Sequence, residues 1–110
     1  MNEHNIATID VHELKQRMEK NSKLCLIDVR EDYEWQNYRI REALHIPKGE
    51  LAARITDEVA DRAEPIYLHC QGGVRSLAAA DTLMQMGYQE VYSVNGGIAG
   101  WSMAGYPIEK

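Results

Sequence analysis

The sequence predicts an α/β fold in which a parallel sheet is covered by helices on both faces. Three observations carry that reading. Short apolar runs of strand length alternate with stretches whose apolar residues recur at helical spacing. No repeat, low-complexity tract or Pro/Gly-rich linker interrupts the 110 residues, so 1–110 reads as one domain. No apolar run approaches the roughly 20 residues that cross a bilayer, and mean hydropathy is −0.46.

Taken in order, Ala7–Ile9 is a short candidate strand. Asp10 followed by Glu13 has the spacing of a capping box, and Val11, Leu14 and Met18 then share a helical face that runs to about Asn21. The run 25–27 (Cys-Leu-Ile) is a buried strand bounded by polar residues, and a short helix is expected over Asp32–Asn37. Residues 44–46 form a weaker strand candidate, followed by a helix over 51–60 and a strand over 66–68. The strongest helix spans 75–86, with Leu77, Ala80 and Met84 on one stripe, Ala79 and Leu83 beside it, and Gly87 where a left-handed C-terminal residue is needed. Val91–Val94 and a helix over 98–103 complete the chain. In such sheets ligands bind at the carboxyl ends of the strands, which directs attention to the loops after Asp28 and after His69.

Composition excludes several function classes. There are 12 Lys and Arg against 17 Asp and Glu, a net charge of −5, and an acidic surface without a basic stripe does not hold nucleic acid by phosphate neutralisation. Residues 1–55 carry nine Lys and Arg against ten acids, whereas 56–110 carry three against seven. Between Arg62 and Lys110 the only permanent cation is Arg75, five positions after Cys70. Cys25 and Cys70 form no disulfide framework and no CxxC pair, and His4, His12, His45 and His69 are scattered without ligand spacing, so neither a metal nor another cofactor is expected. Met1 to His4 lack the basic-then-apolar pattern of a signal peptide. The expectation is a cytoplasmic, membrane-free protein, and a monomer, since 110 residues can bury a self-sufficient core.

The segment from Leu68 to Ser76 runs from a buried strand through a glycine-containing loop into the first turn of the strongest helix. A thiol there faces unpaired amides and a helix dipole, both of which favour the thiolate. Gly72 and Gly73 permit positive φ and leave no side chain in the way, so consecutive amides can curl into an anion-binding nest. Arg75 then anchors the loop and adds fixed charge. A free cysteine taken alone is most often a buried structural residue. Strand, glycine pair, Arg and helix start together argue instead for a nucleophilic Cys70. Cys25, inside an apolar strand, reads as structural, and His69 reads as packing or loop support ahead of general base. Trp35, Trp101, Met84 and Met103 read as core or rim packing rather than a cofactor box.

Three ordered blocks resemble the rhodanese-like sulfurtransferase family, in its single-domain form. Leu26-Ile27-Asp28-Val29-Arg30-Glu31 with Glu34 and then Ile46-Pro47 is similar to the amino-terminal signature; Cys70 to Ser76 is similar to the active-site loop; Gly87-Tyr88, Val91-Tyr92, Asn95-Gly96-Gly97-Ile98 and Trp101 are similar to the carboxy-terminal signature. Tyr38-Arg39-Ile40 and Glu42-Ala43 depart from the family's usual Gly-His and Gly-Ala. The resemblance implies a five-stranded parallel sheet and a Cys70 that accepts a sulfane sulfur as a persulfide. It further implies a small sulfur-containing anion such as thiosulfate as donor, cyanide or a thiol as acceptor, or a protein persulfide as partner. The amides of Gln71, Gly72, Gly73, Val74 and Arg75 would hold the anionic sulfur, and Gln71 would add its side-chain amide. Asp28, Arg30 and Ser76 would support the loop, the first two by charged hydrogen bonds. The charges of Glu31, Asp32 and Glu34 read simply as favourable at a helix's first turn.

Two rivals remain. A non-turnover persulfide relay or protein-interaction module needs the same thiolate. A phosphatase or arsenate reductase-like enzyme shares the His-Cys to Arg-Ser frame, but only four residues separate Cys70 from Arg75 here, where the tyrosine phosphatase pattern has five.

Overall fold

A computed structural model describes residues 5–110; Met1 to His4, read above against a signal-peptide pattern, lie outside the described residues, His4 with them. The chain runs β1 (Ala7–Ile9), α1 (Val11–Lys20), β2 (Cys25–Asp28), α2 (Asp32–Asn37), β3 (Leu44–His45), α3 (Lys48–Glu58), β4 (Ile66–His69), α4 (Val74–Gln85), β5 (Val91–Val94) and α5 (Gly97–Met103). The five strands form one sheet in the order β1-β5-β4-β2-β3, and every neighbouring pair is parallel. Among the described residues no helix is long and apolar enough to cross a membrane.

Strand alternation divides the core into two layers. Ile27, Ile66 and Leu68 project to one face, where Leu51 and Ile55 of α3 and Ala79, Ala80 and Leu83 of α4 cover them. Leu26 and Tyr67 project to the other, against Leu14 of α1 and Ile98 and Trp101 of α5, with Trp35 and Tyr38 packed at the margin. β4 is the central strand. Its register sets His69 beside Asp28 at the carboxyl ends of β4 and β2, so both loops singled out from sequence open at one edge of the sheet.

Local physics departs from expectation in four places. Asp10 caps α1 by accepting from Glu13 N at 2.8 Å, but the Glu13 carboxylate does not reach back; it pairs with Arg17 one turn on, at 2.7 and 3.0 Å. The buried stripe of α4 runs through Ser76, Ala79, Ala80 and Leu83, leaving Leu77 39% exposed. Small alanines let that helix lie close to the sheet, and Ser76 is drawn inward by a polar partner described below. α3 starts at Lys48, because Pro47 with φ −55° leads directly into a helix. β2 and β4 each extend one residue further than their apolar runs, since Asp28 and His69 are buried among polar partners rather than turned to solvent. Trp101 is core in the layer of α1 and α5, Met84 packs against the opposite layer, and Met103 is 89% exposed.

Candidate active site

β4 delivers Cys70 to the carboxyl edge of the sheet, and α4 begins four residues later. The loop between them is therefore only Cys70 to Gly73. Gly73 is the N-cap of α4 with φ +110°, a conformation that turns its amide back onto the cysteine: Gly73 N donates to Cys70 Sγ at 3.1 Å. Gly72 behaves differently from expectation. Its φ is not positive and open space surrounds the place of a Cβ, so its contribution is an unobstructed rim.

Cys70 is buried, with 1% of its surface exposed. Burial pushes its thiol up, but the Ser76 hydroxyl and the amides of Ser76, Gly73 and Arg75 push it down harder, so it titrates below the ordinary thiol range. Ser76 Oγ lies 3.7 Å from the sulfur, donates to Gly73 O at 3.1 Å, and sits 2.7 Å from Ser93 Oγ of β5. When Ser93 donates to Ser76, the Ser76 proton is free to serve either the carbonyl or the thiolate. Nothing in the sequence pointed to Ser93, which occupies an ordinary inward position of a strand.

Removing the Ser76 hydroxyl tests this arrangement. Ser76→Ala is expected to move the pH–rate profile of Cys70 alkylation to higher pH, slowing the reaction about threefold to tenfold at pH 7 while leaving the alkaline plateau in place. An unchanged profile in iodoacetamide titrations would show that the amides alone hold the thiol down.

The floor of the loop comes from α5. Ile98 N donates to Cys70 O at 2.9 Å and Ala99 N to Gln71 O at 3.0 Å. This approach needs glycine at position 97, where φ is +56° and a Cβ would stand 2.6 Å from Gln71 O and closer still to Cys70 O. Below the loop, His69 is fully buried and its Nδ1 faces Cys70 O at 3.2 Å, so that nitrogen carries the hydrogen. Burial pushes the imidazole's pKa down against the pull of Asp28, leaving the ring neutral and in a supporting position. Its Nε2 has no hydrogen-bond partner and lies 3.6 Å from Asp28 Oδ2.

Asp28 and Arg30 form a fully buried ion pair, with Arg30 Nη2 2.9 Å and Nε 3.1 Å from Asp28 Oδ2. The charged hydrogen bonds to the cysteine loop expected from sequence are not made by either residue. Arg30 instead donates to Tyr38 O at 2.7 Å, and the Tyr38 hydroxyl exchanges hydrogen bonds with the Gln71 side-chain amide at 2.9 and 3.2 Å. Bracing therefore reaches the loop through Tyr38, and the Gln71 amide is already engaged.

Arg75 departs most from the sequence reading. Both its terminal nitrogens bond to Glu34 of α2, at 2.7 and 2.9 Å, so its charge is matched rather than free. Those bonds push the Glu34 carboxyl down to about 2. The stability this pair contributes is present above the ordinary carboxyl range and is lost as pH falls toward 2. Glu34 also accepts from Glu31 N at 2.9 Å, closing the first turn of α2.

A cleft of about 550 Å³ opens beside Gln71, lined by Arg30, Tyr33, Glu34, Gln36, Asn37, Tyr38 and Gln71. A smaller crevice of about 180 Å³ lies between α1 and Trp101 and contains no nucleophile. Among the described residues no cluster of three His, Cys, Asp or Glu stands ready for a metal ion. Cys25 is half-buried, and burial with the charges of Glu64 and Glu58 pushes its thiol up to about 11. Chemically, the site offers one buried sulfur whose thiolate is stabilised by the amides of Gly73, Arg75 and Ser76, with a polar cleft beside the neighbouring Gln71.

The family described as Rhodanese-like domain matches residues 10–104. A sulfurtransferase of Allochromatium vinosum is 36% identical over 103 residues, covering 94% of each chain. The thiosulfate sulfurtransferase GlpE of Actinobacillus pleuropneumoniae is 37% identical over 90 residues, covering 82% of each. Among solved structures, the crystal structure of the Alr3790 protein from Anabaena sp. superposes with a TM-score of 0.85 at 27% identity, over 92% of this chain and 79% of that one.

Proposed function

Since the chain belongs to the rhodanese-like domain family, we propose that this rhodanese-type sulfurtransferase moves a sulfane sulfur from a donor such as thiosulfate to cyanide or a thiol through a persulfide on Cys70. The observation that carries the reading is the Cys70 sulfur itself: buried, bonded by the Gly73 amide at 3.1 Å, and seated at the start of α4.

The chemistry follows from the geometry. The Cys70 thiolate attacks the outer sulfur of thiosulfate, a sulfur–sulfur bond forms as the donor's breaks, and sulfite leaves with the bonding pair. The product is Cys70–S–S⁻, and the terminal sulfur then passes to cyanide as thiocyanate or to a thiolate as a persulfide. In this reading the amides of Gln71, Gly72, Gly73, Val74 and Arg75 hold the charge that moves onto the terminal sulfur; its support is that Gly73, Arg75 and Ser76 already turn their amides to Cys70. Asp28, Arg30 and Ser76 act as supports for that ring. The proposal needs no metal or organic cofactor and takes residues 1–110 as one monomeric domain in a cytoplasmic setting, without nucleic acid or membrane.

A protein persulfide donor or acceptor is a second reading favoured by one observation. Val74, in the first turn of α4 beside the loop, is 79% exposed, and Tyr33 on the facing helix is 73% exposed. Comparing transfer from a protein persulfide with transfer from thiosulfate separates relay from small-molecule turnover. Phosphatase chemistry is disfavoured, because Glu34 holds both ends of the guanidinium that would grip an oxyanion.

Intact mass of the reduced protein before and after thiosulfate tests the main proposal. A gain of one sulfur atom that survives Cys25→Ser is expected. Loading on Cys25, or hydrolysis of an aryl phosphate by Cys70 in place of sulfur uptake, would overturn it.

A further inference from the structure

The cations nearest the cysteine loop carry no net charge to the site. Arg75 is the only Lys or Arg between Arg62 and Lys110, and Glu34 binds it through both carboxylate oxygens. Arg30, which lines the adjoining cleft from below, is matched by Asp28. The rest of that cleft is phenol and amide: Tyr33, Tyr38, Gln36, Asn37 and Gln71. The chain as a whole is at −5, so the background field repels anions. What holds a donor is then the ring of loop amides, a set of dipoles suited to one negative charge.

We propose that Glu34 sets the charge preference of the site, cancelling Arg75 so that donors with a single negative charge load Cys70 in preference to dianions. This rests on the sulfurtransferase reading and refines its substrate class to persulfide and thiosulfonate monoanions, R–S–S⁻ and R–SO₂–S⁻. Each transfers the same sulfur: Cys70–S⁻ and R–SO₂–S⁻ give Cys70–S–S⁻ and R–SO₂⁻, with the pair of the broken sulfur–sulfur bond leaving on the sulfinate. With thiosulfate the same displacement expels sulfite, and the assembly at the loop holds three negative charges instead of two. The polar lining of the cleft, whose charged residues Arg30 and Glu34 are each paired, suits a neutral R group.

The test compares Glu34→Gln with the native protein, using thiosulfate and methanethiosulfonate and reading the second-order rate of Cys70 persulfide formation by intact mass. Glutamine keeps an Oε1 acceptor for Glu31 N and for one terminal nitrogen of Arg75, and removes the charge together with the acceptor for the other. Each unit of donor charge is expected to count about threefold, so thiosulfate gains about tenfold and methanethiosulfonate about threefold. Taking the variant-to-native ratio for each donor cancels their different intrinsic reactivities. Equal gains, or none, overturn the inference.

A second arm uses the native protein alone. Its rate with thiosulfate is expected to stay flat or rise between low and high salt; a steep fall would reveal an attractive field at the loop and sink the idea. Should neither donor load Cys70 in either protein, the sulfurtransferase reading fails, and this inference with it. That outcome differs from loading that is blind to charge.

Discussion

Cys70→Ser is expected to lower sulfur transfer at least about a thousandfold while leaving the fold intact. A serine hydroxyl in the same cradle ionises far above neutral pH and forms no persulfide, so the two-stage route is lost outright. The stability change is expected to stay within about 1 kcal/mol, because Gly73 N keeps an acceptor and the volume change is small. Thiocyanate release from thiosulfate and cyanide, measured beside urea denaturation, checks both halves. Cys25→Ser supplies the contrast: that thiol is held up at about 11, away from the loop, and its loss is expected to leave turnover within about twofold. More than a few per cent of residual turnover in Cys70→Ser would move the nucleophile elsewhere.

Gly97→Ala is expected to reduce turnover about a hundredfold and stability by about 3 kcal/mol, although residue 97 never touches the donor. A Cβ there would stand 2.6 Å from Gln71 O, on a backbone with φ +56°. Either α5 retreats and breaks the bonds from Ile98 N and Ala99 N, or the Cys70–Gln71 peptides rise and tilt the amide ring. Gly49→Ala serves as the control. No atom lies within 4 Å of its Cβ position in the first turn of α3, so the alanine is expected to be neutral or to add up to about 1 kcal/mol. If Gly97→Ala matched that control in denaturation and turnover, the loop would not depend on close support from α5.

Cys70 and its neighbourhood were legible in the sequence because their causes are local. A strand-length apolar run, a glycine at the turn and the start of an alanine-rich helix lie within a few residues of Cys70. Glu34 was not legible in its main role: a carboxylate in a first turn has a sufficient local reason to be there, and its partner Arg75 lies 41 positions away. Ser76 was read as a loop support, but its partner Ser93 was not legible, because the two hydroxyls meet and satisfy each other only once α4 lies on β5. The Gly96-Gly97 pair entered only as part of a resemblance, while the physical reason for glycine at 97 is the Cys70–Gln71 backbone pressed against it. Asp28 and Arg30 came correctly as a pair, but the path from them to the loop runs through Tyr38, whose hydroxyl reaches Gln71 only once β2 and β4 are side by side.

The strand order has a consequence for how the chain reaches this state. β1 lies at the edge of the sheet and pairs with β5, Ala7 standing opposite Tyr92. During synthesis β1 therefore waits for more than eighty further residues before its partner exists, while β2 and β4 can join earlier at the centre. Contacts so distant in sequence raise the contact order and slow the final closure. The carbonyls of Cys70 and Gln71 are held by Ile98 N and Ala99 N of α5, which follows β5, so the loop gains its floor only after the sheet has closed.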